Sequence, residues 1–109
     1  MIDYCYTLDL IDDQALIEEY EAWHRKVWPE VITQIKAAGI GAMEIYRYGN
    51  RLVMVMKVTS EYSHARKAAM DLENEKVQEW EVLMWKYQQA LPGAKPGEKW
   101  VMMNKIFEL

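Results

Sequence analysis

The sequence has one cysteine, Cys5, and two histidines, His24 and His64. A single cysteine excludes an internal disulfide and any multi-cysteine metal site. Two imidazoles give a histidine-rich metal centre too few ligands, so no metal is expected. There is no basic run. Lys and Arg number 13 against 17 Asp and Glu, a net charge of −4. That balance argues against a phosphate-backbone partner, so no nucleic acid is expected. The longest apolar run is a few residues, far short of the roughly 20 needed to cross a bilayer, so no membrane is expected either. No basic segment followed by an apolar stretch opens the chain. The expectation is therefore no secretory signal and a cytoplasmic location. A glycine-rich phosphate loop is missing as well. Gly39-Ile40-Gly41 lacks a third glycine and reads as a helix cap and turn. Ser60 and Ser63 have no nucleophile-elbow context.

What is present is a single domain over residues 1–109. Hydrophobic residues make up 51% and charged residues 28%, an ordinary globular composition. A chain of this length buries roughly two-thirds of its unfolded surface, enough for a core without staples. Five Trp, seven Tyr and eight Met are many for so small a domain. They suggest an interface, an aromatic-lined pocket, or both.

Ile2, Tyr4, Tyr6, Leu8 and Leu10 alternate with Asp3, Cys5, Thr7 and Asp9, the period of a strand. Asp12 and Asp13 offer an N-cap, after which Leu16, Ile17, Tyr20, Trp23 and His24 form one helical stripe. Pro29 breaks that helix at Trp28 and starts another, which Gly39 and Gly41 end. Met43 to Tyr48 and Leu52 to Val58 read as a hairpin across Gly49-Asn50. A helix is expected from Ser60 to Met70, and another from Glu75 to Leu91. A turn-rich loop follows at Pro92, Gly93, Pro96 and Gly97, and then a last strand from Trp100 to Phe107. The order β-α-β-β-α-β is the ferredoxin-like α+β pattern, an antiparallel four-stranded sheet with helices on one face. The other face needs cover, so a homodimer packed sheet against sheet is expected.

His24 lies four residues after Tyr20, which puts an imidazole and a phenol on one helical face. Such a pair can transfer protons near neutral pH. The same spacing also suits a core histidine bonded to backbone. His64, beside Arg66 and Lys67, reads as a surface residue. Trp80, Glu81 and Trp85 form a second cluster. A flat ring against a carboxylate fits sugar recognition, and it also fits plain core packing. Cys5 reads as structural.

The run Tyr20-Glu21-Ala22-Trp23-His24-Arg25-Lys26-Val27-Trp28-Pro29-Glu30 resembles the L-rhamnose mutarotase family. The likeness continues through Ala38-Gly39, Glu44-Ile45-Tyr46 and Val77-Gln78-Glu79-Trp80, and covers nearly the whole chain. The resemblance implies a ferredoxin-like dimer, a dimeric α+β barrel, that interconverts the α and β anomers of a deoxy-hexose without a cofactor. It implies His24 as catalytic proton donor, with Tyr20 and Trp80 binding the sugar. Two positions depart from the rhamnose pattern. Met43 stands where that pattern has a sugar-contacting tyrosine, and Glu81 where it has a second tryptophan. Glu81 is therefore taken as a substrate-binding residue of this chain. The C-terminal half resembles a branch associated with L-fucose, which favours L-fucose over L-rhamnose. Two other classes stay open: a monooxygenase or isomerase of the dimeric α+β barrel group, and a sugar-binding module without catalysis.

Overall fold

Strand β1, Ile2–Leu10, is the axis on which the rest of the chain is assembled. The computed structural model describes residues 2–109. After β1 come α1 (Gln14–His24), α2 (Pro29–Ala37), β2 (Ile40–Tyr48), β3 (Arg51–Val58), α3 (His64–Glu73), α4 (Glu75–Trp85), β4 (Gln88–Gln89) and β5 (Val101–Met102). The sheet runs β2-β3-β1-β4, and β5 also pairs with β1. Every pairing is antiparallel. This is the ferredoxin-like α+β fold, with each of the two helical stretches broken once, as the sequence suggests.

The breaks have local causes. The Asp13 carboxylate accepts from the Leu16 amide at 3.1 Å and starts α1. Trp28 is extended, as a residue before proline prefers, and Pro29 opens α2. Between α3 and α4 the Asn74 side chain accepts from the amides of Lys76 and Val77. Gly39 follows α2 with φ +96°. A Cβ there would lie 3.0 Å from Thr59 Oγ1 and 3.3 Å from the Tyr62 nitrogen, so glycine lets the end of α2 sit against the link after β3.

Several boundaries differ from the sequence reading. Strand β2 begins at Ile40, and Gly41 sits at an irregularity in its pairing with β3 rather than ending the helix. Helix α3 starts at His64, because the Ser63 hydroxyl caps it by accepting from the Arg66 amide. Helix α4 ends at Trp85, six residues early. Tyr87 and Gln88 turn inward instead, and Gln88 pairs with Leu10. The last strand shrinks to Val101–Met102, followed by one more bond, Met103 N–H to the Cys5 carbonyl at 2.8 Å. The fourth place in the sheet is thus filled by two short strands. The Pro92-to-Gly97 loop between them cannot sustain a ladder, since prolines lack a donor and both its glycines have positive φ.

Register assigns the faces. Tyr6 pairs with Met54 and Leu8 with Leu52, so these four share the face toward the helices. Leu8, Leu10, Leu52 and Val58 are the most deeply buried side chains. Two packed clusters lie under the helices. One joins Leu10, Ile17, Tyr20, Leu52, Trp80, Met84 and Tyr87; the other is Ile40, Met56 and Val58, flanked by Tyr4, Tyr6, Met43 and Tyr62. Ile35 packs against both. The opposite face presents Cys5, Thr7, Val53, Val55 and Tyr46. Tyr46 is 56% exposed there. No helix among the described residues is long and apolar enough to cross a membrane.

Candidate active site

Helix α1 carries Tyr20 and His24 one turn apart toward α4. Their ring centroids are 4.4 Å apart. His24 Nδ1 donates to the carbonyl oxygen of Tyr20, one turn back in the same helix, at 2.8 Å. The backbone-bonded reading of His24 holds, and that bond occupies only one of the two ring nitrogens. With the proton on Nδ1, Nε2 of the neutral ring carries a lone pair. Burial lowers the His24 pKa below the usual imidazole value, and the bond to Tyr20 offsets this in part. At neutral pH the ring is uncharged and able to accept a proton.

Trp80, on α4, fixes the imidazole from the side. Its ring meets His24 edge-on at 5.7 Å, and it is only 8% exposed. Trp28 and Trp23 stack edge-on behind it, at 5.2 Å and 6.5 Å. Trp23 Nε1 in turn donates to the Tyr87 hydroxyl at 3.1 Å. A buried indole held by two others has little freedom to change rotamer. The Tyr20 hydroxyl accepts from Gln88 Nε2 at 3.3 Å, a bond that exists because β4 returns to β1. Burial raises the Tyr20 pKa, so the phenol stays protonated.

These groups open onto a cleft of about 740 Å³ between the helices and the sheet. That size is in the range of small-molecule sites. Tyr20, His24, Trp80 and Glu81, the four site residues expected from sequence, all line it. Glu81 is held by Gln78, whose Nε2 donates to its carboxylate at 3.2 Å. Met43 lines the cleft from β2, beside Met54 and Met56 of β3, as an apolar floor. Trp85 does not join its expected partners; it is 39% exposed, with Lys99 Nζ 5.4 Å from its ring centroid. His64 is exposed, as expected.

Other cleft residues were not anticipated. Gln88 was hidden inside an expected helix. Lys99 and Trp100 come from the end of the proline-rich loop, and Tyr6, Tyr62, Lys67 and Asp71 line the cleft from β1, the β3–α3 link and α3. No local sequence signal marks the return strand at Gln88. Among the described residues, no three His, Cys, Asp or Glu side chains converge as a metal site would require.

Comparison with known proteins finds relatives along nearly the whole chain. A family model described as L-rhamnose mutarotase matches residues 3–109. An L-fucose mutarotase of Xanthomonas campestris pv. campestris is 54% identical over 107 residues, covering 96% of this chain and 86% of that protein. A UPF0734 protein of Dictyostelium discoideum is 34% identical, covering 97% of this chain and 88% of the relative. The crystal structure of an L-rhamnose mutarotase from Formosa agariphila superposes with a TM-score of 0.74 at 20% identity, over 100% of this chain and 99% of that one. A dimeric ferredoxin-like protein from an uncultured marine organism gives a TM-score of 0.55 at 13% identity, over 98% and 90% of the two chains. These two structures establish the fold.

Proposed function

The chain belongs to the L-rhamnose mutarotase family, and from that premise we propose that it interconverts the α and β anomers of a 6-deoxy-hexose without a cofactor. L-fucose is the favoured substrate and L-rhamnose the next. The preference rests on the 54% identity to a protein named as an L-fucose mutarotase.

The observation that carries the chemistry is the committed tautomer of His24. Its Nδ1–H is engaged by the Tyr20 carbonyl, which leaves Nε2 for a ligand in the cleft. Opening a cyclic hemiacetal removes the anomeric hydroxyl proton and adds a proton to the ring oxygen. Both oxygens are bonded to the anomeric carbon. One imidazole can therefore serve both in turn, as base at the hydroxyl and as proton donor at the ring oxygen. The aldehyde carbon then rotates, and closure reverses the two transfers on the other face. No atom is gained or lost. In this reading Trp80 offers its ring to the C–H face of the sugar, while the Glu81 carboxylate and the Tyr20 phenol meet its hydroxyls.

The protein is further read as a homodimer packed through the helix-free sheet face. Cys5, Val53, Val55 and Tyr46 on that face support an apolar contact, with Lys57 and Glu44 beside them.

The test is anomer exchange followed by NMR on the anomeric protons of L-fucose and L-rhamnose. Protein-dependent exchange in either sugar upholds the reading, and faster exchange in L-fucose upholds the preference. Sugar that binds without faster exchange makes the protein a binding module instead.

A further inference from the structure

The cleft has a second polar wall that the proposed proton transfer does not use. Tyr6 of β1 and Tyr62 of the β3–α3 link both line it. Both phenols flank the same packed cluster of Ile40, Met56 and Val58. The Tyr62 hydroxyl also lies 2.9 Å from Nδ1 of His64. Tyr4 packs its ring on His64 at 4.6 Å and on Tyr62 at 6.0 Å, which confines the imidazole from the other side. Beside this chain, Asp71 is 9% exposed and held by Lys67 Nζ at 2.6 Å and Gln34 Nε2 at 3.3 Å. Lys67, Asp71 and Gln34 line the same cleft.

This wall is distinct from the His24 wall. Tyr6 and Tyr62 pack on Ile40, Met56 and Val58, whereas Tyr20 and Trp80 belong to the other cluster. The floor between is apolar, with Met43, Met54 and Ile35. A ligand whose reacting carbon sits at His24 presents its far side toward the phenols. A hexose presents hydroxyls there, and phenols both donate to and accept from hydroxyls. Burial, with Tyr6 next in effect, pushes Tyr62 up to about 12, so its proton remains available for donation at any working pH.

We propose that Tyr6 and Tyr62 form a hydroxyl-reading subsite that discriminates between deoxy-hexoses, with His64 as the positioning residue that aims the Tyr62 phenol. The inference rests on the mutarotase reading above. L-fucose and L-rhamnose differ in the orientation of the hydroxyls at C2 and C4, while their anomeric centres react alike. Selectivity must therefore come from contacts away from the reacting carbon.

The experiment measures sugar affinity by tryptophan fluorescence and exchange by NMR, for both sugars, in the wild-type chain and in Tyr6→Phe, Tyr62→Phe and His64→Phe. Tyr46→Phe, on the far sheet face, is the control. Removing one neutral hydrogen bond should weaken the preferred sugar by roughly three- to tenfold. Exchange at saturating sugar should stay within about twofold, because the proton-transfer group is untouched. The ratio of affinities for the two sugars should fall toward one. His64→Phe should show the same loss of selectivity in weaker form. Wild-type affinities and selectivity in both Tyr6→Phe and Tyr62→Phe overturn this inference alone, while wild-type exchange still supports the mutarotase reading. A wild-type chain that binds neither sugar overturns both.

Discussion

Nδ1 of His24 and the carbonyl oxygen of Tyr20 lie 2.8 Å apart, within a single turn of α1. A carbonyl oxygen can only accept, so Nδ1 must carry the proton, and this bond selects the tautomer. Sequence spacing alone brings the two residues together; the bond between them decides which ring nitrogen is left over.

Replacing His24 by alanine should therefore remove the proton-transfer group and leave the fold. We expect exchange to fall by roughly 10²- to 10⁴-fold, the usual weight of general acid–base catalysis. Circular dichroism should be unchanged, and sugar should still quench the tryptophans. Near-wild-type exchange in this variant would take His24 out of the mechanism.

The pH dependence has a defined sign. Burial lowers the His24 pKa in the folded chain, so the neutral ring persists to lower pH than in a free peptide. Exchange should rise with pH, level off below the ordinary imidazole value of about 6.5, and stay flat through pH 8. Linkage works in the same direction. The unfolded chain takes up a proton on His24 more readily than the folded one, so this group disfavours folding as the pH falls below about 6.5. A pH–rate profile in wild type and in His24→Ala isolates the group, and a midpoint above 7 would contradict the burial argument.

Tyr20 tests the role of the short return strand. Tyr20→Phe takes the acceptor away from Gln88, which is 7% exposed. A buried amide left unpaired costs about 1–3 kcal/mol. Urea unfolding should report that loss, and the double change Tyr20→Phe with Gln88→Leu should recover part of it. Equal stability of the single variant and wild type would mean that water or another group satisfies Gln88.

Trp80→Ala should be more severe. The indole is buried and braced by Trp23 and Trp28, and its loss leaves a cavity beside His24. Core aromatic truncations cost about 3–5 kcal/mol, enough to threaten a domain of this size. Trp80→Phe keeps much of the packing and should fold. It should bind sugar less tightly, which separates the stability role from the recognition role.

For the proposed homodimer, Val55→Lys places a charge at the centre of the helix-free face. Gel filtration and light scattering should move from dimer to monomer while the circular dichroism spectrum persists. A wild-type monomer at micromolar concentration would remove the sheet-face dimer from the reading.

Much of this architecture was legible because local rules and burial agree. The alternation from Ile2 to Leu10, the Asp13 cap, the break at Trp28-Pro29 and the Gly49-Asn50 hairpin all read correctly from pattern alone. The C-terminal third did not. The apolar stripe of α4 runs on through Tyr87, yet Tyr87 and Gln88 leave the helix, and Gln88 pairs with Leu10 at the sheet edge and lines the cleft. Nothing local distinguishes those outcomes; β1 decides by offering an unpaired edge. In the site, Tyr20 and His24 were legible as helix neighbours, and Trp80 and Glu81 as a ring beside a carboxylate, with the family resemblance adding Trp80's sugar-binding role. Tyr6 and Tyr62 were not, because 55 residues of chain separate two phenols that only β1–β3 pairing brings together.

The two packed clusters under the helices touch through Ile35 and otherwise hold different residues, taken from opposite ends of β1 and β3. Changes at well-separated sites without shared partners tend to add rather than interfere. A lineage carrying this fold can therefore alter the residues around Ile40 and Met56 generation by generation, without having to rebuild the neighbourhood of His24 each time. Tinkering at one end of the cleft leaves the other in working order, and that independence is a property of how the sheet distributes its side chains.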